Sequence, residues 1–210
     1  MKEFLVIILA RRTKIVNFIK MVLNLFFRNN NLISAYINAY HHNNHIVIEK
    51  GSSLYNCKIN ILGRGNLVSI GTGCSLSGMS IYINDNSNTL QIGDRVIVNA
   101  KPKFPTCFNA CGGSKIIIGD DCLFSNSIEL HTTDYHPIYD LNNEWTNIPR
   151  PIIIGEHTWI GLRTIVLKGV TIQPNTIIGA CSVVVKSNTD SYEILAGNPA
   201  KVVKKGCKWG

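Results

Sequence analysis

The chain has 210 residues, enough for one domain and an appendage. Hydrophobic residues make up 45% and charged residues only 16%, which suits a folded soluble protein whose outer walls are partly covered by other subunits. A formal charge of +8 admits nucleic acid, an anionic membrane surface or a phosphate-rich small molecule. No basic stretch interleaved with aromatics and no nucleic-acid-binding motif is found, which argues against nucleic acid.

In chain order, the first segment (1–45) does not share the pattern of the rest. Thr13, Asn17, Lys20, Asn24 and Arg28 recur at helical spacing, and the remainder of 15–27 is apolar. This predicts an amphipathic helix with a narrow polar stripe and a wide apolar face. The apolar run 4–10 is short and is followed at once by Arg11, Arg12 and Lys14, so neither a signal peptide nor a spanning helix is expected. Two readings stay open for the helix. It packs on the rest of the molecule, or it lies in a membrane interface as a peripheral contact. His41, His42 and His45 fall at the junction and read as linker.

The body of the chain (46–187) is a repeat. Ile154, Ile160, Val166, Ile172, Ile178 and Val184 stand at intervals of six, with Thr158, Thr164, Val170, Thr176 and Ser182 each four places after one of them. Neither a helix period nor a strand period alone produces this. A six-residue period predicts a β-helix in which each hexamer is one wall and three hexamers close a triangular coil. The large residue points inward, and the small one fits where the chain turns. Upstream, Ile118, Phe124 and Leu130 keep the spacing, as do Ile92, Val98 and Phe104, then Ile70 with Leu76 and Ile48 with Leu54. The expected fold is therefore an all-β solenoid, a parallel β-helix of about six coils behind a short α-helical segment. Coils longer than 18 residues are expected to carry an excursion after their third wall. The shorter excursions hold turn formers: Gly63 to Asn66, Asn84 to Asn88, and Gly112 with Gly113. The longest covers 131–151, and a long loop off a regular coil is where chemistry is expected.

The seven cysteines do not read as a disulfide framework. Cys74 and Cys122 occupy the small slot of the hexamer, as compact core residues of a reducing compartment. Cys107-x3-Cys111 lacks metal-site spacing, and no metal is expected.

The long excursion contains His131, Asp134, Tyr135, His136, Pro137 and Asp140. A residue before proline is restricted to an extended backbone, which helps to aim the His136 ring. Asp134 and Asp140 are near enough in sequence to orient that imidazole or raise its basicity. Beyond the loop come Trp159-Ile160-Gly161 and, in the tail (188–210), the run Ala196-Gly197-Asn198-Pro199-Ala200-Lys201.

This set of motifs, over about residues 48–205, resembles the left-handed β-helix acyltransferases. Within them it is most similar to the maltose/galactoside acetyltransferase-like enzymes and the O-acetyltransferases of capsule and O-antigen polysaccharides. The resemblance implies a left-handed coil and a cytoplasmic homotrimer, with any membrane contact peripheral at the inner face of the cytoplasmic membrane. It also implies transfer of acetyl from acetyl-CoA to a carbohydrate hydroxyl. His136 is implied as the general base, with Asp134 beside it, and the hydroxyl attacks the thioester directly. The absence of a Ser or Cys nucleophile motif agrees with this. The implied oxyanion donor is the backbone N–H of Leu162, and Trp159 is implied to wall the acceptor or acetyl pocket. Tyr135 and Asn99 are implied on the acceptor side. Coenzyme A is implied to run past Gly161 and Ala180, with Lys186, Lys201 and Lys204 around its phosphates. In the resembling enzymes the histidine of one chain meets the tryptophan of its neighbour. The helical N-terminus replaces their substrate-capping segment, so the acceptor itself is not implied.

Alternatives remain: transfer to a small acceptor (a free sugar, sugar nucleotide or antibiotic), or a non-catalytic scaffold. A γ-class carbonic anhydrase shares the spacing His131-x4-His136. It needs a third histidine several coils upstream, and none occurs between His45 and His131.

Overall fold

The computed structural model describes residues 6–7, 35–39, 41 and 43–210. They form a three-walled solenoid of parallel strands. The first wall stacks His45–Ile48, Leu67–Ile70, Thr89–Ile92, Lys115–Ile118, Ile152–Ile154 and Thr171–Ile172. Val6–Ile7 pairs antiparallel with its outermost strand, His45–Ile48. The second wall runs from Ser53–Tyr55 through Leu123–Phe124, Trp159–Ile160 and Ile177–Ile178 to Glu193–Gly197. It is closed by the antiparallel strand Ala200–Lys205. The third wall is a seven-stranded sheet from Tyr36–Ala39 to Val183–Val184.

The period-six residues set the register. Ile48, Ile70, Ile92, Ile118, Ile154 and Ile172 pair one on the next up the first wall, and all are buried. Each such side chain gains about 1.5–3 kcal/mol by leaving water. The slots four places on hold Thr158, Thr164, Val170, Thr176 and Ser182, all without solvent exposure. A hydroxyl there satisfies a carbonyl at the bend: Thr158 donates to Gly155 O at 2.8 Å and Ser182 to Gly179 O at 2.7 Å. Cys122 fills the same slot and donates to Gly155 O at 3.2 Å; burial pushes its thiol up to about 12. All seven cysteines are free thiols.

Three points differ from expectation. The coil has about seven turns and not six, because the third wall already begins at Tyr36–Ala39, paired with Lys58–Ile61. Residues 36–39 of the N-terminal segment are thus strand, and the expected helix over 13–28 lies outside the described residues. The third-wall core residue of the 92 coil is Phe108, not Phe104. Phe108 pairs with Ile81 and Leu130, contacts Phe124 edge-on at 5.3 Å and is fully buried, while Phe104 is exposed. That coil carries an excursion before the third wall, in the turn closed by the Lys101–Phe104 bridge, as well as the expected one after it at Gly112 and Gly113.

Candidate functional site

The longest excursion, 132–151, leaves the third wall after Glu129–His131 and rejoins the first wall at Ile152–Ile154. Its base is closed by Arg150 N–H donating to Thr132 O at 3.0 Å. It is an arm and not a slack loop. Tyr139 and Trp145 form an antiparallel bridge, and Thr146 N–H donates to Ile138 O at 2.8 Å. Asp140 caps the tip by accepting the N–H groups of Asn142 and Glu144 at 2.9 and 2.8 Å. Its carboxylate is used there, which removes it as an orienting partner for an imidazole.

The two histidines of the arm have opposite surroundings. Both ring nitrogens of His131 are engaged: Nε2 lies 2.8 Å from Glu129 Oε2, and Nδ1 lies 3.0 Å from the Tyr135 hydroxyl. Burial pushes that phenol up to about 12, so it stays protonated. The His136 ring makes no hydrogen bond to any described residue and is exposed. It lines a cleft of about 350 Å³ together with Asn84, Asp85, Cys111, Tyr135 and Trp145. Its backbone is bracketed by Tyr135, in the left-handed region at φ 64°, and by Pro137.

Asp134 does not serve the imidazole. Its Oδ2 accepts from Lys168 Nζ and, at 2.8 Å, from Asn147 Nδ2. The Lys168 ammonium holds this carboxyl below the usual carboxylate range.

The remaining expected residues gather elsewhere. Trp159 stands on the outer face of the second wall, 37% exposed, in one row with Leu123 and Ile177. Gly161, Leu162 and, one turn on, Ala180 follow at the corner between the second and third walls. The turns stack so closely there that a Cβ on Gly161 would lie 2.7 Å from Ala180 N. Leu162 accepts from Cys181 N–H at 2.7 Å, while its own N–H donates to no described residue. Lys201 and Lys204 project from Ala200–Lys205 at the end of the second wall, and Lys186 follows the last third-wall strand; all three are exposed. Asn99, two rows before Trp159 on the second wall, is also exposed. In a three-walled coil the corner that releases the arm lies opposite the second wall. One chain therefore does not bring His136 to Trp159.

Two site features escaped the sequence reading. Asn84, read only as a turn former, lines the His136 cleft. Trp209, from the C-terminal tail, stacks on His157 at 4.4 Å and 6° and donates from Nε1 to His157 O at 3.0 Å. It stands 6.3 Å from Trp159 and so builds an aromatic patch on the second wall. A tryptophan next to the chain's last residue was the one visible signal.

The family model of the bacterial transferase hexapeptide (six repeats) matches residues 151–186. The polysialic acid O-acetyltransferase of Neisseria meningitidis is 34% identical over 185 residues, covering 80% of this chain and 86% of that protein. The galactoside O-acetyltransferase of Escherichia coli (strain K12) is 32% identical over 90 residues, 43% of this chain and 44% of that one. Among solved structures, the polysialic acid O-acetyltransferase OatWY is 29% identical with a TM-score of 0.60, covering 86% of this chain and 90% of that chain.

Proposed function

The chain belongs to the hexapeptide-repeat acetyltransferase family, and on that premise we propose how its surface carries an acetyl group from acetyl-CoA to a carbohydrate hydroxyl. The neutral His136 imidazole takes the proton of the acceptor hydroxyl. The hydroxyl oxygen then attacks the thioester carbonyl, and the Leu162 N–H receives the charge that develops on the carbonyl oxygen. Collapse forms the ester and breaks the C–S bond, and the proton held by the imidazolium goes to the leaving thiolate. No acyl-enzyme is needed. The observation that carries this reading is the contrast within the arm. His131 has both nitrogens occupied, whereas the His136 ring stands open on a cleft.

Because one chain keeps His136 and Trp159 apart, the complete site takes the arm of one subunit and the second wall of another, in a homotrimer. Supporting this, the arm presents Ile138, Tyr139, Leu141 and Trp145 to the outside. Coenzyme A lies along the Gly161–Ala180 corner, its amides against the exposed backbone and its phosphates toward Lys186, Lys201 and Lys204. The acceptor is a surface polysaccharide of the capsule or O-antigen kind, or its precursor. This rests on the meningococcal relative, 86% of which is covered and whose acceptor is polysialic acid. The reaction runs in the cytoplasm. The test is thiol release from acetyl-CoA by the full chain across a panel of saccharides, polysialic acid included. Release that depends on a saccharide and yields an alkali-labile acetyl ester is expected. Release indifferent to every saccharide would overturn the acceptor class.

A further inference from the structure

Beyond its own base, the arm is fastened to the coil by the Lys168 ammonium as well as by the Tyr135–His131 hydrogen bond. Lys168 follows Ile165–Leu167, the third-wall strand one turn beyond Glu129–His131, from which the arm departs. Its side chain is 16% exposed, and its Nζ donates to Asp134 Oδ2 and to Asn147 O, the latter at 2.6 Å. Asn147 uses its whole amide inside the arm. Nδ2 donates to Asp134 Oδ2 at 2.8 Å and to His136 O at 2.9 Å, and Oδ1 accepts Ile138 N–H at 2.6 Å and Trp145 Nε1–H at 2.7 Å. The His136 N–H donates to Asp134 O at 2.8 Å. The main chain of His136 is thus held on both sides, while no described residue holds its ring.

A general base must point within a narrow range of directions, and a misplacement of about 1 Å costs up to about 10²-fold in rate. The usual device is a carboxylate on the far ring nitrogen. Here the carboxylate in the motif faces away from the ring, toward a lysine. We propose that Lys168 is the positioning residue of the base. Acting through Asp134 and Asn147, it fixes the backbone of His136 so that a ring without partners is still aimed into the cleft. Lys168 suits this because a charged donor to a carboxylate makes a shorter and stronger bond than a neutral one. It also reaches across 34 residues of sequence, from the next turn of the coil. The inference rests on His136 being the base, and its test separates the two ideas.

The full chain is labelled in its histidine rings, and the His136 signal is assigned by its loss in His136→Ala. In Lys168→Met that signal should broaden, split or shift, while the His157 signal stays in place; Lys168→Arg should keep the wild-type signal. With acetyl-CoA and polysialic acid as the probe pair, Lys168→Met should lower kcat by about 10–100-fold and change the KM for acetyl-CoA by less than about 2-fold. Asp134→Asn should do the same, and the double variant should lose no more than either single one, because all remove one clamp. Asp134→Asn also serves should Lys168→Met not fold. An unchanged His136 signal in Lys168→Met or, failing that, in Asp134→Asn would overturn the proposal. So would an Asp134→Asn defect far exceeding that of Lys168→Met, which would return the carboxylate to the imidazole. If the signals move as stated but His136→Ala turns over normally, the clamp stands and the base assignment falls.

Discussion

The stacked turns from Ile152 to Val184 and the arm 132–151 are adjacent in sequence and are specified in opposite ways. In the turns, identity is nearly interchangeable: an isoleucine or valine inside and a threonine, serine or valine at the bend suffice, because each turn repeats the contacts of the last. In the arm no position repeats. Its shape comes from individual polar side chains, such as Asn147 with four hydrogen bonds and Asp140 with two. Stability is therefore shared along the coil, and the proposed base stands on the arm. Substitutions should reveal that split.

The largest effect is expected in the arm, without loss of fold. His136→Ala should lower kcat by roughly 10²–10⁴-fold, the usual contribution of a general base, at unchanged thermal stability. His131→Ala, which removes a ring already bound to Glu129 and Tyr135, should cost under about tenfold. Steady-state kinetics of the two variants decides it, and a reversed order would break the division of roles between the histidines.

The coil answers in the opposite currency. Phe108→Ala empties a fully buried site against Phe124 and should destabilise by about 3–5 kcal/mol in urea titration. Leu141→Ala, at the fully exposed tip of the arm, should change the stability of the single chain by less than about 0.5 kcal/mol. A large stability loss from Leu141→Ala would mean that the arm is part of the folded core.

The same split decides what was legible in the sequence. The register of the coil could be read because Ile154 to Val184 state it six times over. It failed where one copy stood alone. Phe104 kept the six-residue spacing by accident, and four extra residues before the third wall moved Phe108 into register. The turn at Tyr36–Ala39 carried no hexamer pattern at all. In the arm, His136 was visible because proline follows it, and the role proposed for it came from family resemblance. The partner of Asp134 was not visible, because the neighbour in sequence is His136 and the neighbour in space is Lys168, 34 residues on. Asn84 and Trp209 reach the surface near the site by turn geometry and by the fold-back of the tail, neither of which leaves a local pattern.

The smallest effect sharpens the comparison at the ion pair that joins the two regions. Asp134 is held below the usual carboxylate range, first by Lys168. A group whose folded pKa is depressed stabilises the fold above its unfolded value, near about 4, and loses that contribution as pH falls through the folded value. The stability difference between wild type and Lys168→Met should therefore be constant above about pH 5 and shrink as the solution is acidified below about pH 4. Asp121, lowered by Arg95 at a different corner of the coil, titrates in both proteins and cancels in the difference. Urea titrations of the two proteins at a series of pH values read it directly. The difference should stay small throughout, since Asp134 is partly exposed and its pair is screened by water. A small stability term beside a large loss of kcat marks a bond that serves the aim of His136 more than the stability of the coil. A difference that does not shrink in acid would place the contribution of Lys168 in its bond to the Asn147 carbonyl, which has no proton to gain.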